Sequence, residues 1–479
     1  MALLALSAPA PARADPRSAV TVGMAREPSG LDPTTSEDAA IGQIAFGNIF
    51  EGLVRLEPDF SVSGVLARSW SLSPDRRTLK FYLRLDARFQ DGREFSSADV
   101  KFSFERAAAA GSRNPDAAFF RALAAVDAPS PDVVALRFKR PRFDALYHLA
   151  RQTAAIVDER GADAEATTPV GTGPFRLASW NRSASIVLEK WPRYRDSGRI
   201  GLERATFRFV ADPIAEVAAL RSDDIDVFPD FTAYAAIAAL RAEPRFQILV
   251  GASARKWLLA IDGARPPLGD LRVRQALAYG VDRGAVGAAA ADGFAKPLGS
   301  HAASLEPGYA DLTAEYRHDP GKAAALLRDA GVALPLKLSL GVPAIPGAGE
   351  AAAAIAAQLA RVGVEAKFET LAPGEARRGF DLELAVYPQP LDLARYAATP
   401  NEFGYESSAM RAIAERLEGA PDLNAFKKAM GAAQVQLSED CVNVFLYEEP
   451  FVTIADARLA GLARDAPTAA FDLSAISWR

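Results

Sequence analysis

The sequence predicts a mixed α/β fold of more than one lobe, on three observations. Short runs rich in β-branched and aromatic residues alternate with runs whose apolar residues recur at helical spacing. The chain has 479 residues, ample for a large core and for more than one folding unit. Pro/Gly clusters at residues 169–174, 266–269 and 343–349 punctuate it, and none reads as a flexible linker. Lobes joined by strands that cross between them would give this picture.

The strand-like runs are Val20 to Met24, Thr78 to Arg84, Val133 to Phe138, Ser185 to Lys190, Thr206 to Val210, Trp257 to Ile261, Leu336 to Leu340, Leu382 to Val386 and Val442 to Tyr447. Helices are expected over Ala39 to Leu53, from Asp319-Pro320 to Gly331, over Gly349 to Val362, and over Leu423 to Leu437. Asp319 reads as an N-cap with Pro320 in the first turn, and Gly331 as the stop. Residues 96–99 read as a helix start, and Asp91-Gly92 as a turn between strands.

Composition narrows the function classes. Hydrophobic residues make up 49% and charged residues 24%, an ordinary globular balance. With 55 basic and 60 acidic residues, net charge −5, and no basic block, nucleic acid is not an expected partner. No apolar run is long enough to span a membrane. Cys441 is the one cysteine, so no intrachain disulfide can form, and its apolar surroundings read as a buried structural thiol. At the N-terminus, Met1 to Leu6 is apolar and Ala12-Arg13-Ala14 fits the small-x-small pattern of signal cleavage. Residues 1–14 are therefore expected to be the remnant of a signal peptide, with Asp15 the first mature residue.

Catalytic and cofactor motifs are missing from the sequence. His148, His301 and His318 are scattered, without metal-ligand spacing. There is no Walker-type loop and no Gly-x-Ser-x-Gly elbow. Gly171-Thr172-Gly173 runs into Pro174, which suits a tight turn better than a phosphate-binding helix start. No cofactor, metal or catalytic residue is expected.

The most specific stretch is Thr168-Pro169-Val170-Gly171-Thr172-Gly173-Pro174-Phe175. It resembles the Pro-x-Gly-Thr-Gly-Pro-Phe signature of the family 5 extracellular solute-binding proteins, which include dipeptide, oligopeptide and nickel receptors of ABC importers. Further blocks resemble the same family in order: Leu31-Asp32-Pro33 with residues 48–53, residues 67–70 and 73–78, residues 89–100, residues 267–283, and residues 319–331. Arg272 and Arg274, in one of these blocks, are two apart on a helix and point differently, so they read as surface or ion-pair residues.

The resemblance implies a two-lobed periplasmic-binding-protein clamshell (type II, cluster C-like) with a small peripheral domain. Mapped here, residues 15–45, 166–255 and 446–479 form a discontinuous first lobe. Residues 46–165 form the peripheral domain and residues 256–445 the second lobe. It implies a periplasmic substrate-binding protein, a monomer, that captures a small peptide or peptide-like solute between the lobes and delivers it to inner-membrane permease subunits. A ligand sensor for a chemoreceptor or sensor kinase is the alternative role. A secreted hydrolase on a similar scaffold is a third.

The same resemblance nominates site residues. Ser36, Glu37 and Asp38 would border the cleft, and one of them would equally serve as a helix cap. In the loop Tyr387-Pro388-Gln389-Pro390-Leu391-Asp392, Asp392 best matches the family's amine-binding Asp, and it reads equally as a cap for the following turn. Tyr387 could stack on a ligand, and Trp257 and Gln389 complete the set. The family's dipeptide receptors carry an Arg where this chain has Gly349, so the carboxylate clamp is missing. An acidic cleft without that clamp would favour a cationic or neutral solute: a cationic compound, opine, sugar or nickel chelate.

Overall fold

The computed structural model describes residues 18–162, 164–371 and 379–479. The expected signal segment lies outside them. Three main sheets organise the chain. The first has seven strands, in the order Phe246–Gly251, Phe451–Asp456, Val227–Phe228, Ala19–Met24, Arg204–Phe209, Ser185–Lys190 and Phe175–Asn181. The second has six: Lys296–Pro297, Val444–Glu448, Lys256–Ile261, Leu382–Tyr387, Leu336–Pro343 and Val364–Leu371. The third is a four-stranded antiparallel sheet of Ala67–Leu72, Thr78–Leu83, Val133–Phe138 and Leu123–Ser130.

Both large sheets are covered on two faces, and side-chain alternation shows how. Trp257, Leu259 and Ile261 pack under the helices Leu271–Gly280, Arg283–Ala291 and Ala348–Ala360. Leu258, between them, points to the opposite face, toward the helices Ser408–Glu418 and Leu423–Glu439. The strand is therefore apolar almost throughout, as a doubly covered strand must be. In the first sheet, Val227 and Phe228 divide between opposite faces in the same way. The third sheet packs Phe81, Leu83 and Leu136 against Phe104 and Phe120.

Several helix signals hold. Asp319 accepts from the Lys322 amide at 2.8 Å ahead of the helix Pro320–Asp329. Ser96 and Asp99 form a reciprocal capping box on Ser97–Ala108. The helix expected over Ala39 to Leu53 stops at Ala45. Gly47 takes a left-handed conformation (φ +82°), and the Asn48 side chain donates to the carbonyls of Ile44 and Phe471. Ile49, Phe50 and Leu53 are fully buried, so their periodicity reported burial rather than helix. The last strand of the second sheet begins at Val444 rather than Val442, because Cys441 turns the chain at φ +45°. Cys441 is buried, and burial pushes its thiol up to about 12.

The Gly-rich signature is a joint. A Cβ on Gly171 would lie 1.9 Å from the Ile49 carbonyl oxygen, and one on Gly173 would lie 2.3 Å from that of Asn48. This close approach carries backbone bonds from Gly173 to Ile49 and from Phe175 to Asn48, both 2.9 Å. Gln90, leading out of the third sheet's unit, donates to the carbonyls of Gly173 and Phe175. Thr172 donates to Glu51 at 2.9 Å. The motif fastens the first sheet to its neighbour and contributes nothing to the cleft. Arg274 likewise spends its guanidinium on the carbonyls of Leu268, Gly269, Asp440 and Cys441.

Candidate functional site

The topology places the cleft. The chain passes between the two large sheets twice, from Gly251 to Lys256 and from Glu448 to Phe451, the second crossing lying just beyond residue 445. Lys256 pairs with both Tyr387 and Glu448, so the ends of three second-sheet strands share one edge. Leu336–Pro343 runs parallel to Leu382–Tyr387, so its carboxyl end, and the start of the helix Ala348–Ala360, lie at that edge too. In the first sheet, Gly251 pairs with Phe451, and Ala19–Met24 runs in parallel toward the same side. The segment holding residues 36–38 follows Met24. Two sheet edges with their carboxyl-end loops thus meet at a pair of crossing strands, where α/β folds place ligands.

On the second-sheet edge, Asp392 is hydrogen-bonded through Oδ1, while its buried Oδ2 has an ion-pair contact and no hydrogen bond. Its Oδ1 accepts from Lys256 Nζ at 2.9 Å and stands 3.1 Å from His301 Nε2, while Oδ2 lies 3.3 Å from Arg395 Nε. Lys256, 1% exposed, also donates to Glu306 Oε1 (3.1 Å) and to the Gln389 carbonyl (2.6 Å). Glu306 accepts in turn from the amides of Ala303 and Leu391. His301 is buried, and desolvation pushes it down to about 4, so it is neutral at ordinary pH. Asp392 therefore accepts a hydrogen bond from Nε2–H, while Nδ1 accepts one from the Tyr396 hydroxyl at 3.0 Å. Burial alone would raise Asp392; the Lys256 ammonium, His301 and Arg395 overcome it and hold the carboxyl well below the usual range. Neither Lys256, His301 nor Glu306 announces this role in sequence. They lie 136, 91 and 86 positions from Asp392 or its loop partners, and only a fold can bring them together.

The aromatic candidates belong to the core. Tyr387 is 2% exposed, donates to Glu402 at 2.8 Å, and lies 4.4 Å under the Arg395 guanidinium. Trp257 stacks on Tyr447 with ring centroids 5.5 Å apart and donates to Glu449 at 2.8 Å. Glu449 is flanked by Arg255, which also pairs with Asp230, so the crossing segments carry a half-buried ion cluster. Gln389 holds Lys256 through its carbonyl and keeps a half-buried side chain.

The first-sheet edge is built differently. Asp38 caps the helix Ala39–Ala45 and pairs with Arg26. Ser36 accepts from the Asp38 amide at 3.0 Å, and its carbonyl accepts from Gln152. Glu37 makes no hydrogen bond or ion pair with any described residue. Desolvation raises its carboxyl, and the nearby carboxylates of Asp116 and Asp392 raise it further against Arg151 and Arg395. Arg151 bridges the units: it donates to Asp116 at 2.9 Å and to the Pro390 carbonyl, beside Asp392, at 2.8 Å. So the structure brings Glu37, Gln389 and Asp392 to one region, spends Ser36 and Asp38 on a helix start, and keeps Trp257 and Tyr387 in the core. At Gly349 an added Cβ would meet nothing within 4 Å, so the position expected to carry Arg opens onto free space. Among the described residues, no cluster of three His, Cys, Asp or Glu could hold a metal ion.

Two α/β lobes closing on a shared edge, with a third unit packed alongside, define a periplasmic-binding-protein fold. The chain belongs to the bacterial extracellular solute-binding proteins, family 5 Middle, whose model matches residues 61–403. Among curated relatives, glutathione-binding protein GsiB of Salmonella typhi is 27% identical over 320 residues, covering 65% of this chain and 61% of the relative. The Shigella dysenteriae protein of that name is 28% identical over the same shares. The match thus spans about three fifths of those relatives' length. Solved structures share the fold over nearly the whole chain. The binding protein AgaA from A. tumefaciens, in complex with agropinic acid, superposes with a TM-score of 0.86 at 24% identity, covering 96% of this chain and 99% of that one. DppA from Helicobacter pylori, with the peptide STSA, gives 0.85 at 21%, covering 96% and 98%. NikZ from Campylobacter jejuni, with Ni(L-His), gives 0.83 at 21%, covering 97% and 100%. No helix among the described residues is long and apolar enough to cross a membrane.

Proposed function

We propose that this chain is the periplasmic solute receptor of an ABC importer, a monomer without catalytic activity that passes its ligand to membrane permease subunits. The observation that carries the reading is the facing pair of sheet edges joined by two crossing strands. Ligand would stabilise the closed lobes only through contacts that both edges make at once. The units are residues 15–45, 166–255 and 451–479; residues 46–165; and residues 256–448, the boundary first expected at 445/446 moving to the crossing at residues 449–450 because residues 446–448 pair within the second sheet. Glu37 and the Gln389 side chain face the ligand, and Asp392 holds the loop that carries Gln389.

Relatives named for glutathione and structures holding peptides support a small peptide or peptide-like solute. Glu37 and Gly349 favour a second reading within the same role. An unpaired carboxylate at Glu37, together with a glycine in place of the Arg clamp at position 349, suits a solute with a cationic group and no carboxylate that needs such a clamp. Mass spectrometry of ligand released from denatured protein, then thermal denaturation with that ligand, tests both. At a hundred times its dissociation constant the cognate solute adds about 2.7 kcal/mol. A released solute that gives no such stabilisation is not cognate, and turnover of a bound solute would refute the receptor reading.

A further inference from the structure

The third sheet's unit touches the second sheet's unit at a place that the covalent chain does not oblige. Both crossings of the chain join the two large sheets, and residues 46–165 are connected at each end to segments of the first sheet's unit. The contact is built from both sides. The helix Ser408–Glu418 ends at Gly419, and the last carbonyls of a helix have no partner within it. Here the partners come from the other unit. The Phe143 amide donates to the Glu418 carbonyl at 2.7 Å, and Arg76 Nη1 donates to the Gly419 carbonyl at 3.2 Å. Arg142 Nη1 stands 3.4 Å from Glu418 Oε1, so two guanidiniums lie at the negative end of the helix.

The same segment carries the apolar part. In the short helix Ala145–Leu149, Ala145 and Leu149 are buried in the third sheet's own core. Phe143 and Tyr147 pack instead on the second unit, with ring centroids 5.0 and 5.9 Å from that of Phe426 in the helix Leu423–Glu439. The reaching cations are set in place by their own unit. Asp144 takes Arg142 Nε at 2.7 Å and Nη2 at 2.8 Å, which leaves Nη1 for Glu418. Asp116 takes Arg151 Nη1 at 2.9 Å, which leaves Nη2 for the Pro390 carbonyl at 2.8 Å. Side chains fixed before two surfaces meet lose little freedom when they do. Phe143, Tyr147, Glu418 and Phe426 stand outside the candidate ligand set, so the contact forms from protein alone.

We propose that this contact is a latch that holds most solute-free molecules closed, so that the third sheet's unit sets solute affinity without touching the solute. On the receptor reading, on which this rests, apparent affinity scales with the fraction of closed, binding-competent molecules. Hydrogen exchange and small-angle scattering of the full chain, unfolded and refolded free of solute, test it. The Phe143 amide lies outside every helix and strand, and its bond to Glu418 is the one that protects it. In wild type it is expected to exchange about tenfold or more slower than in an unstructured chain. In Tyr147→Ser/Glu418→Gln it is expected to exchange about tenfold faster than in wild type, with a larger radius of gyration. Both substituted side chains are half-buried, and the amides of Phe81 and Val134, on the central strands of the third sheet, are expected to keep their protection. Should these be lost, Arg76→Gln, at the turn between the strands Ala67–Leu72 and Thr78–Leu83, carries the same expectation by a smaller factor. A Phe143 amide that exchanges freely in wild type overturns the proposal. So does a folded variant whose exchange and radius match those of wild type. Neither readout needs a solute, so the latch is decided whether or not a solute co-purifies with the protein.

Discussion

Asp392 and Glu37 lie within electrostatic reach of each other and are held in opposite ways. Asp392 sits among Lys256, His301 and Arg395 and ionises readily. Glu37 stands on the facing edge with no bonded partner and resists ionisation. A saturated carboxylate fixes a loop but has little left for a ligand. An unsaturated one adds little to the fold and keeps its oxygens for whatever enters, a cation there favouring its ionised form. Acidity of a cleft is therefore not read by counting carboxylates; it depends on which of them the protein has already used.

The sharpest way to break the contrast is to remove the cation between Asp392 and Glu306. Lys256→Met leaves two buried carboxylates facing each other and is expected to cost about 3–5 kcal/mol in urea denaturation. A loss near zero would mean that the cluster is not closed as described.

Proton linkage extends the same contrast. Desolvation pushes Glu165 up to about 8 and Glu216 up to about 7, each with one carboxylate oxygen unbonded. Their folded values exceed their unfolded ones, so the folded state holds more protons between about pH 4.5 and 8. Their contribution to stability is present at the acidic end of that window and is lost as pH rises through it. The slope is expected to be on the order of 1 kcal/mol per pH unit, and Glu165→Gln should flatten it between pH 6 and 8. Asp392 has the reverse sign: its folded value is depressed, so its contribution holds above the unfolded value and disappears in acid. Denaturant midpoints measured across pH in wild type and Glu165→Gln decide the matter.

Glu37→Gln removes a desolvated charge from the free protein. At pH 7.5 it is expected to leave stability unchanged or raise it by up to about 1 kcal/mol, and to weaken the released ligand at least tenfold. Unchanged affinity would remove Glu37 from the site. The smallest effect is expected at the helix start: Gly349→Ala should add about 0.5–1 kcal/mol, read as a raised midpoint, because the position is helical and unobstructed. Gly349→Arg should fit without loss of stability and bring simple dipeptides into measurable affinity.

These contrasts also show what the sequence could convey. Local signals were legible: Asp319 with Pro320, the helix start at residues 96–99, and the strand-like run through residues 257–261 each gave the element they promised. The signature around Gly171 identified the family, although its work is to let two backbones touch. Ala39 to Leu53 misled because a buried irregular segment can carry helical spacing. The site was legible only in part. Glu37 and Asp392, both nominated from the sequence, come within electrostatic reach of each other, but the partners that disarm Asp392 come from distant strands and loops. No local pattern tells a spent carboxylate from a free one.

The joint at Gly171 and Gly173 has a kinematic consequence. Backbone bonded directly to backbone at residues 48–49 and 173–175 leaves no side chain to act as a bearing, so the peripheral unit is carried rigidly with the first lobe. On the proposed receptor reading, opening would turn two bodies about residues 252–255 and 449–450 and would break the Phe143 amide's bond to the Glu418 carbonyl. On that reading a membrane partner would sense that one rotation, and the Arg151 contact to Pro390 would be among the bonds that report it.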